Sequence, residues 1–268
     1  MSGSAVPELG TEMKKVMQVS VQFLDQTRFV DLAAPLDISM PLAAGEGNVN
    51  CFYAPYPEFW PVEAPEFGFI GDTNRGGAVN FYNLKINPHG NGTHTECVGH
   101  IAREKYTIHQ CLRRFHFFAK LVSVWPQRLD NGDRVILRQQ LEDLFVTHVP
   151  EAQVIRTLPN DEHKLRQNYS GSNPPYLHHE AVAFLVERGV QHLLLDLPSV
   201  DREEDGGALL GHKAFWQYPD DPRSACTITE LIYVPSAIPD GDYLLNIQIA
   251  SLELDVSPSK PVLYVLKP

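Results

Sequence analysis

The chain has 268 residues, 43% of them hydrophobic and 21% charged, a composition of ordinary globular proteins that excludes wholesale disorder. Its formal net charge is −11, from 22 Lys plus Arg against 33 Asp plus Glu. It therefore lacks the basic footprint that nucleic acid or an anionic membrane surface would need. No window of about 18 apolar residues offers a membrane span. The four cysteines, at 51, 97, 111 and 226, form no Cys-x-x-Cys pair and read as buried or free thiols in a cytoplasmic protein.

Residues 1–28, rich in Ser, Gly and Glu near their start, read as a loosely ordered leader, and 29–268 as one domain with no internal linker. Residues 44–77 carry seven aromatics, among them Phe52, Tyr53, Trp60 and Phe67. A long aperiodic segment with that load reads as a cover over a pocket. Strands are expected at 79–86, 119–125, 153–156, 192–197, 227–234, 243–250 and 262–266, each short, β-branched or aromatic, and bounded by turn residues. Helices are expected at 138–145, with Leu141, Leu144 and Phe145 on one face, and at 177–188, stopped by Gly189. Many strands and few helices in one continuous pattern indicate a single α/β domain with a central mixed sheet.

The informative stretch is Pro88-His-Gly-Asn-Gly-Thr-His-Thr-Glu-Cys-Val-Gly-His100. Its glycines and threonines disfavour a helix. If 93–100 is extended, His94, Glu96, Val98 and His100 share one face, which makes a cluster of nitrogen and oxygen metal ligands. His89 has the wrong parity for that face, and a bulge at Gly90-Asn91-Gly92 would bring it back. Farther on, Glu230 lies in a strand that reads apolar on both faces. A lone carboxylate buried there would demand a metal or an Arg; an edge strand would leave it in water. His178 and His179 read as the exposed start of a helix, and Cys97 has the wrong parity to act with His94 and Glu96.

This segment resembles the signature of the cyclase family that includes bacterial kynurenine formamidase and isatin hydrolase, usually His-x-Gly-Thr-His-x-Asp-x-Pro-x-His. Val30-Asp-Leu32, Met40-Pro41, the segment 185–190, Leu195-Asp-Leu-Pro-Ser-Val-Asp201, His212, Glu230 and Pro239-Asp-Gly-Asp-Tyr243 resemble the family's other landmarks in order. The resemblance implies a swivelling β/β/α type of mixed sheet and an oligomer, a homodimer or homotetramer. It implies one or two divalent metals per chain, Zn²⁺ or Mn²⁺. His89, His94 and Glu96 would hold the first, and Glu96, His212 and Glu230 a second. His100 would be the general acid/base.

The implied activity is hydrolysis of a C–N amide bond in a small aromatic substrate by metal-activated water, arylformamidase-like, with N-formylkynurenine and tryptophan catabolism in view. A cyclase or dehydratase acting on a carbonyl compound, and a metal-binding homologue without turnover, are the other readings. Ser199 and Asp201 read either as groups behind a ligand imidazole or the pocket floor, or as a capped turn after the 192–197 strand. The sequence departs from the signature in the extra residue between His89 and Gly92, in Glu96 for Asp, in Val98 for Pro, and in the insertion-like 218–223 between His212 and Glu230.

Overall fold

The computed structural model describes residues 17–144 and 150–268. Phe145, expected at the end of the first helix, lies outside them. Seven strands close on themselves. They are β1 His94–Glu96, β2 His116–Val124, β3 Ala152–Thr157, β4 His192–Leu195, β5 Thr227–Glu230, β6 Gly241–Ile249 and β7 Val256–Val265. The order round the ring is β6-β2-β3-β4-β5-β1-β7, and β7 returns to β6. The contacts from β2 through β5 are parallel; β1, β6 and β7 join their neighbours antiparallel. The expected mixed sheet is thus a closed, barrel-like one, with Leu36–Asp37 added along the flank of β7. Among the described residues no helix is long and apolar enough to cross a membrane.

Strand alternation divides the apolar residues between two faces. Phe117, Ala119 and Leu121 of β2 meet Val154, Leu194, Leu245 and Leu263 in one buried cluster. The alternate residues Val122, Ile155, Leu193, Leu195 and Ile228 form a second cluster beneath the helices α1 His179–Glu187 and α2 Leu210–Trp216. With both faces covered, β3, β4 and β5 are buried along their whole length.

Two segments differ from the sequence reading. Residues 18–31, within and just after the expected leader, form a hairpin of Gln18–Phe23 with Gln26–Asp31. Its turn is Leu24-Asp25, both at positive φ (47° and 59°), and contains neither the Asn-Gly nor the Asp-Gly pair that signals such turns. Phe23 packs on Phe118 at 4.8 Å between ring centroids. The aromatic segment is the other difference. Glu58–Pro61 pairs with Tyr82–Lys85, and Glu63–Ala64 with Phe69–Ile70. This leaves Phe59, Trp60 and Phe67 exposed. Of the seven aromatics, only Phe52 lines the cavity described next.

Candidate metal centre

β1 and β5 lie side by side, antiparallel, with His94 opposite Glu230 and Glu96 opposite Ile228. Pleating therefore sends His94, Glu96 and Glu230 to the face shared with Ile228, under α2, while Thr95 and Thr229 meet on the other face through their hydroxyls at 2.8 Å. The hydroxyl of Thr93 donates to the carbonyl of Leu231 and accepts from the Met40 amide at 2.7 Å. The threonine of the Gly-Thr-His run thus ties β1 to the end of β5. Leu231 has φ of 52°, which ends the strand at Glu230 and breaks the alternation that the sequence suggested for 227–234.

His100 reaches the cluster by a different route from the one expected. The extended run stops at Glu96, and Val98–His100 form a 3₁₀ turn. Val98 is buried in the helix-covered core, and the turn swings the His100 ring back to 4.4 Å from that of His89. His89 arrives through a compact turn at 87–92 and not through a β-bulge. Asn87 receives the Gly90 and Asn91 amides on its carbonyl. Asn91, the extra residue, is buried and donates to Asn50 Oδ1 at 2.6 Å and to the Pro55 carbonyl at 3.0 Å.

His212 comes from α2, which the sequence did not reveal. The helix is seven residues long, begins at a left-handed Leu209 and has no side-chain cap from that residue. Asp201 supplies what the cap lacks. Its carboxylate accepts from the amides of Gly211 (2.6 Å) and His212 (3.2 Å) and from His212 Nδ1 (2.7 Å). A Cβ at Gly211 would stand 2.7 Å from Asp201 Oδ1, so only glycine admits this approach. Ser199 Oγ accepts from the Asp201 amide at 3.1 Å. The insertion-like 218–223 is held from both sides, with Arg223 donating to the Phe215 and Val190 carbonyls.

The five residues implied as ligands converge. Glu96 Oε2 is 3.1 Å from His89 Nδ1, and Glu96 Oε1 is 3.3 Å from His212 Nε2. Glu230 is 3.4 Å from His94 Nε2 and 4.0 Å from His212 Nε2, and accepts from the Val200 amide at 2.8 Å. His94, Glu96, His212 and Glu230 are buried, the last at 3% exposure, so the reading of Glu230 in water does not hold. His100 Nδ1 stands 3.7 Å from Glu96 Oε2, with its side chain 30% exposed. Asp255, which sequence reasoning did not single out, lies 2.9 Å from His89 Nε2 and 3.5 Å from His100 Nδ1. Its segment, Ser251-Leu-Glu-Leu-Asp255, carries no motif; only the pairing of β7 with β1 brings it here.

The charges explain one another. Burial pulls the His212 imidazole down, but Asp201 and Glu96 outweigh it and hold the pKa at about 10. His89 is likewise raised to about 10, burial being overcome by Asp255 and Glu96. Burial alone would raise Glu96; the three histidines around it, His100 foremost, keep it well below the usual carboxylate range. His100 and then His89 pull Asp255 down as well.

Despite this closeness, four buried atoms of the cluster have no hydrogen-bond partner among the described residues: His94 Nε2, His212 Nε2 and both oxygens of Glu96. Unpaired buried polar atoms are rare because each costs about 1–3 kcal/mol. Three sets of side chains bring ligand atoms within 4.8 Å of one another: His89/His94/Glu96, Glu96/His100/His212 and His89/His100/Asp255. Imidazole nitrogens with carboxylate oxygens suit a divalent cation, and the orphaned atoms are where one would be bound. The residues fit a metal. His89, His100, His212 and Glu230 of the cluster form a wall of a cavity of about 310 Å³ that Phe52, Asn87, Ser199, Arg202 and Leu209 also line. A second cavity of about 340 Å³, beside Lys164 and Tyr169, shares none of these residues.

The chain belongs to the Cyclase family, whose model ("Putative cyclase") matches residues 30–202. No curated protein matches it in sequence. Solved structures share its fold. A predicted metal-dependent hydrolase from Bacillus stearothermophilus superposes with a TM-score of 0.61 at 16% identity, covering 86% of this chain and 98% of that one. Isatin hydrolase A from Labrenzia aggregata, bound to benzyl benzoate, gives 0.64 at 13% identity, over 87% and 94% of the two chains. Isatin hydrolase A from Ralstonia solanacearum gives 0.64 at 12%, over 87% and 92%.

Proposed function

We propose that the protein is a metal-dependent hydrolase that opens a C–N amide bond in a small aromatic substrate. The observation that carries this reading is the gathering of four partnerless buried ligand atoms, from His94, Glu96 and His212, in a cluster whose His89, His100, His212 and Glu230 line an accessible cavity. The likeness in fold to isatin hydrolases supports the amide class, and the arylformamidase assignment, with N-formylkynurenine as the substrate to try first, rests on the motif resemblance. The swivelling β/β/α type, a cytoplasmic location and a homodimer or homotetramer belong to the same proposal.

His89, His94 and Glu96 would hold one divalent cation, Zn²⁺ or Mn²⁺, and Glu96, His212 and Glu230 a second. A cation there supplies Lewis acidity, polarising a carbonyl and acidifying water. The chain's own residues do the rest. Asp201 fixes His212 with Nε2 toward the cluster, and the Gly92 carbonyl does the same for His94 through Nδ1 at 2.8 Å. His100, whose Nδ1 stands 3.5 Å from Asp255 Oδ2 and whose ring lines the cavity, would hold a proton and deliver it to the leaving nitrogen, which would otherwise depart as a poor amine anion. Phe52 gives the cavity a flat apolar side suited to a ring.

The test is to supply metal-loaded protein with N-formylkynurenine and with isatin, following formate release and ring opening. Cleavage of either, lost on His100→Ala with metal retained, is the expected result. A fully loaded protein that cleaves no amide, and converts a carbonyl substrate without consuming water, would favour the cyclase or dehydratase reading that the family's name supports. Metal binding without any turnover would leave the inactive homologue.

A further inference from the structure

We infer that Asp255 is a positioning residue for the metal centre: it fixes His89 with Nδ1 turned toward Glu96. The inference rests on the metal-centre reading above and assigns a role that neither the motif nor the matched region, which ends at residue 202, contains.

The three imidazoles share one arrangement. His212 gives its outer nitrogen, Nδ1, to Asp201 at 2.7 Å and leaves Nε2 facing Glu96. His94 gives Nδ1 to the Gly92 carbonyl at 2.8 Å and leaves Nε2 facing Glu230. His89 follows the same scheme with its nitrogens exchanged. Nε2 lies 2.9 Å from Asp255 Oδ2, and Nδ1 faces Glu96 at 3.1 Å. A neutral imidazole has one N–H and one lone pair, so an acceptor on one nitrogen makes the other the ligand. Each of the three is thereby oriented so that a cation displacing the inner proton would meet a nitrogen lone pair facing the cluster.

His89 needs this more than the others do. It sits on a turn and not on a strand or helix, its side chain is 28% exposed, and the extra residue before Gly92 removes the short tether that the usual spacing provides. The carboxylate that compensates is itself rigidly held. The Cys97 amide donates to the Asp255 carbonyl at 2.9 Å, and the Ile108 amide to that of Leu254 at 2.7 Å. At Gly99 an added Cβ would lie 3.1 Å from the Asp255 Cβ and 2.3 Å from the Tyr106 carbonyl oxygen, so the motif's own glycine makes room for the approach. The backbone of 254–255 is thus bonded to Cys97, next to Glu96, and to Ile108, which sets the carboxylate beside His89 and His100.

The experiment measures Zn²⁺ affinity by competition with a chromophoric chelator for wild type, Asp255→Asn and Asp255→Glu, each checked for folding by circular dichroism. Asp255→Asn should lose about 10–100-fold in affinity, as carboxylates behind ligand histidines usually do, and Asp255→Glu should recover part of it. In a His89→Ala background Asp255→Asn should cause no further loss. The Co²⁺ visible spectrum should change on Asp255→Asn, a shift that a purely structural role would not produce. Wild-type affinity and spectrum in Asp255→Asn would overturn the inference alone, as would an equal loss in the His89→Ala background. A wild-type protein that takes up no Zn²⁺ would overturn the metal-centre reading and this inference with it.

Discussion

β5 runs between two buried histidine environments of opposite character. At its start, His192 lies beside Thr227, with Nδ1 2.8 Å from the threonine hydroxyl and its ring 3.8 Å from that of Phe117. At its end, three residues on, Glu230 faces His94 and His212. Burial acts on His192 and His212 alike. At His192 it is reinforced by Arg114 and Arg223, and the pKa falls to about 3. At His212 it is overcome by carboxylates, and the pKa rises to about 10. The contrast teaches that a buried histidine signals a site only when its neighbours leave ligand atoms unmatched. His192 has its charge suppressed and its Nδ1 paired with Thr227; the cluster under α2 holds four atoms with no partner.

The comparison can be broken most forcefully at Glu96, the carboxylate common to the cluster. Glu96→Ala should abolish metal uptake. In the metal-free protein it should also cost about 3–5 kcal/mol in urea denaturation, because it strips buried histidines of their counter-charge. Metal uptake at the wild-type level would break the contrast outright.

At His192 the sign is reversed and the size smaller. An unfolded histidine binds its proton near pH 6.5 and the folded one near 3. The neutral ring therefore adds stability above about pH 6.5, and that contribution drains away as the pH falls toward 3, by about 3 kcal/mol at pH 4. His192→Gln should be less stable than wild type at pH 7 by about 1–2 kcal/mol, from the lost Thr227 bond and ring packing. By pH 4 the gap should close or invert. Parallel stability curves for the two proteins would refute the neutral assignment.

Asp201→Asn sharpens the contrast at the other end. It should weaken Zn²⁺ binding about 10–100-fold by removing the carboxylate behind His212, with the melting temperature of the metal-free protein following only partly. The smallest expected effect is at the cavity wall. Phe52→Ala should raise KM for an aromatic amide about threefold to tenfold and leave metal content unchanged, whereas Trp60→Ala, exposed on the Glu58–Pro61 strand, should leave both unchanged.

The sequence made the local part of the site legible and concealed the part that depends on tertiary contact. His94, Glu96 and His100 followed from the extended reading of 93–100 and Glu230 from its apolar strand, while the motif resemblance supplied the ligand roles of His89 and His212. What escaped has a physical cause in each case. His100 returns on a 3₁₀ turn because Val98 is drawn into the helix-covered core. α2 escaped because a seven-residue helix begun by a left-handed leucine has none of the usual start signals, its cap coming from Asp201, ten residues away from Gly211. Asp255 escaped because only strand pairing brings it to the motif. In the fold, the central strands were legible from their β-branched runs, but closure of the sheet depends on the β6–β7 contact, which no local pattern encodes.

The most direct test of the metal centre is metal content per chain by elemental analysis, on protein purified without a metal-affinity tag, beside the His94→Ala variant. The account predicts one or two equivalents of a divalent metal in wild type, two if Glu96 serves both positions, and loss of metal in the variant. No metal in wild type even after addition of Zn²⁺ or Mn²⁺, or full retention by His94→Ala, would contradict it.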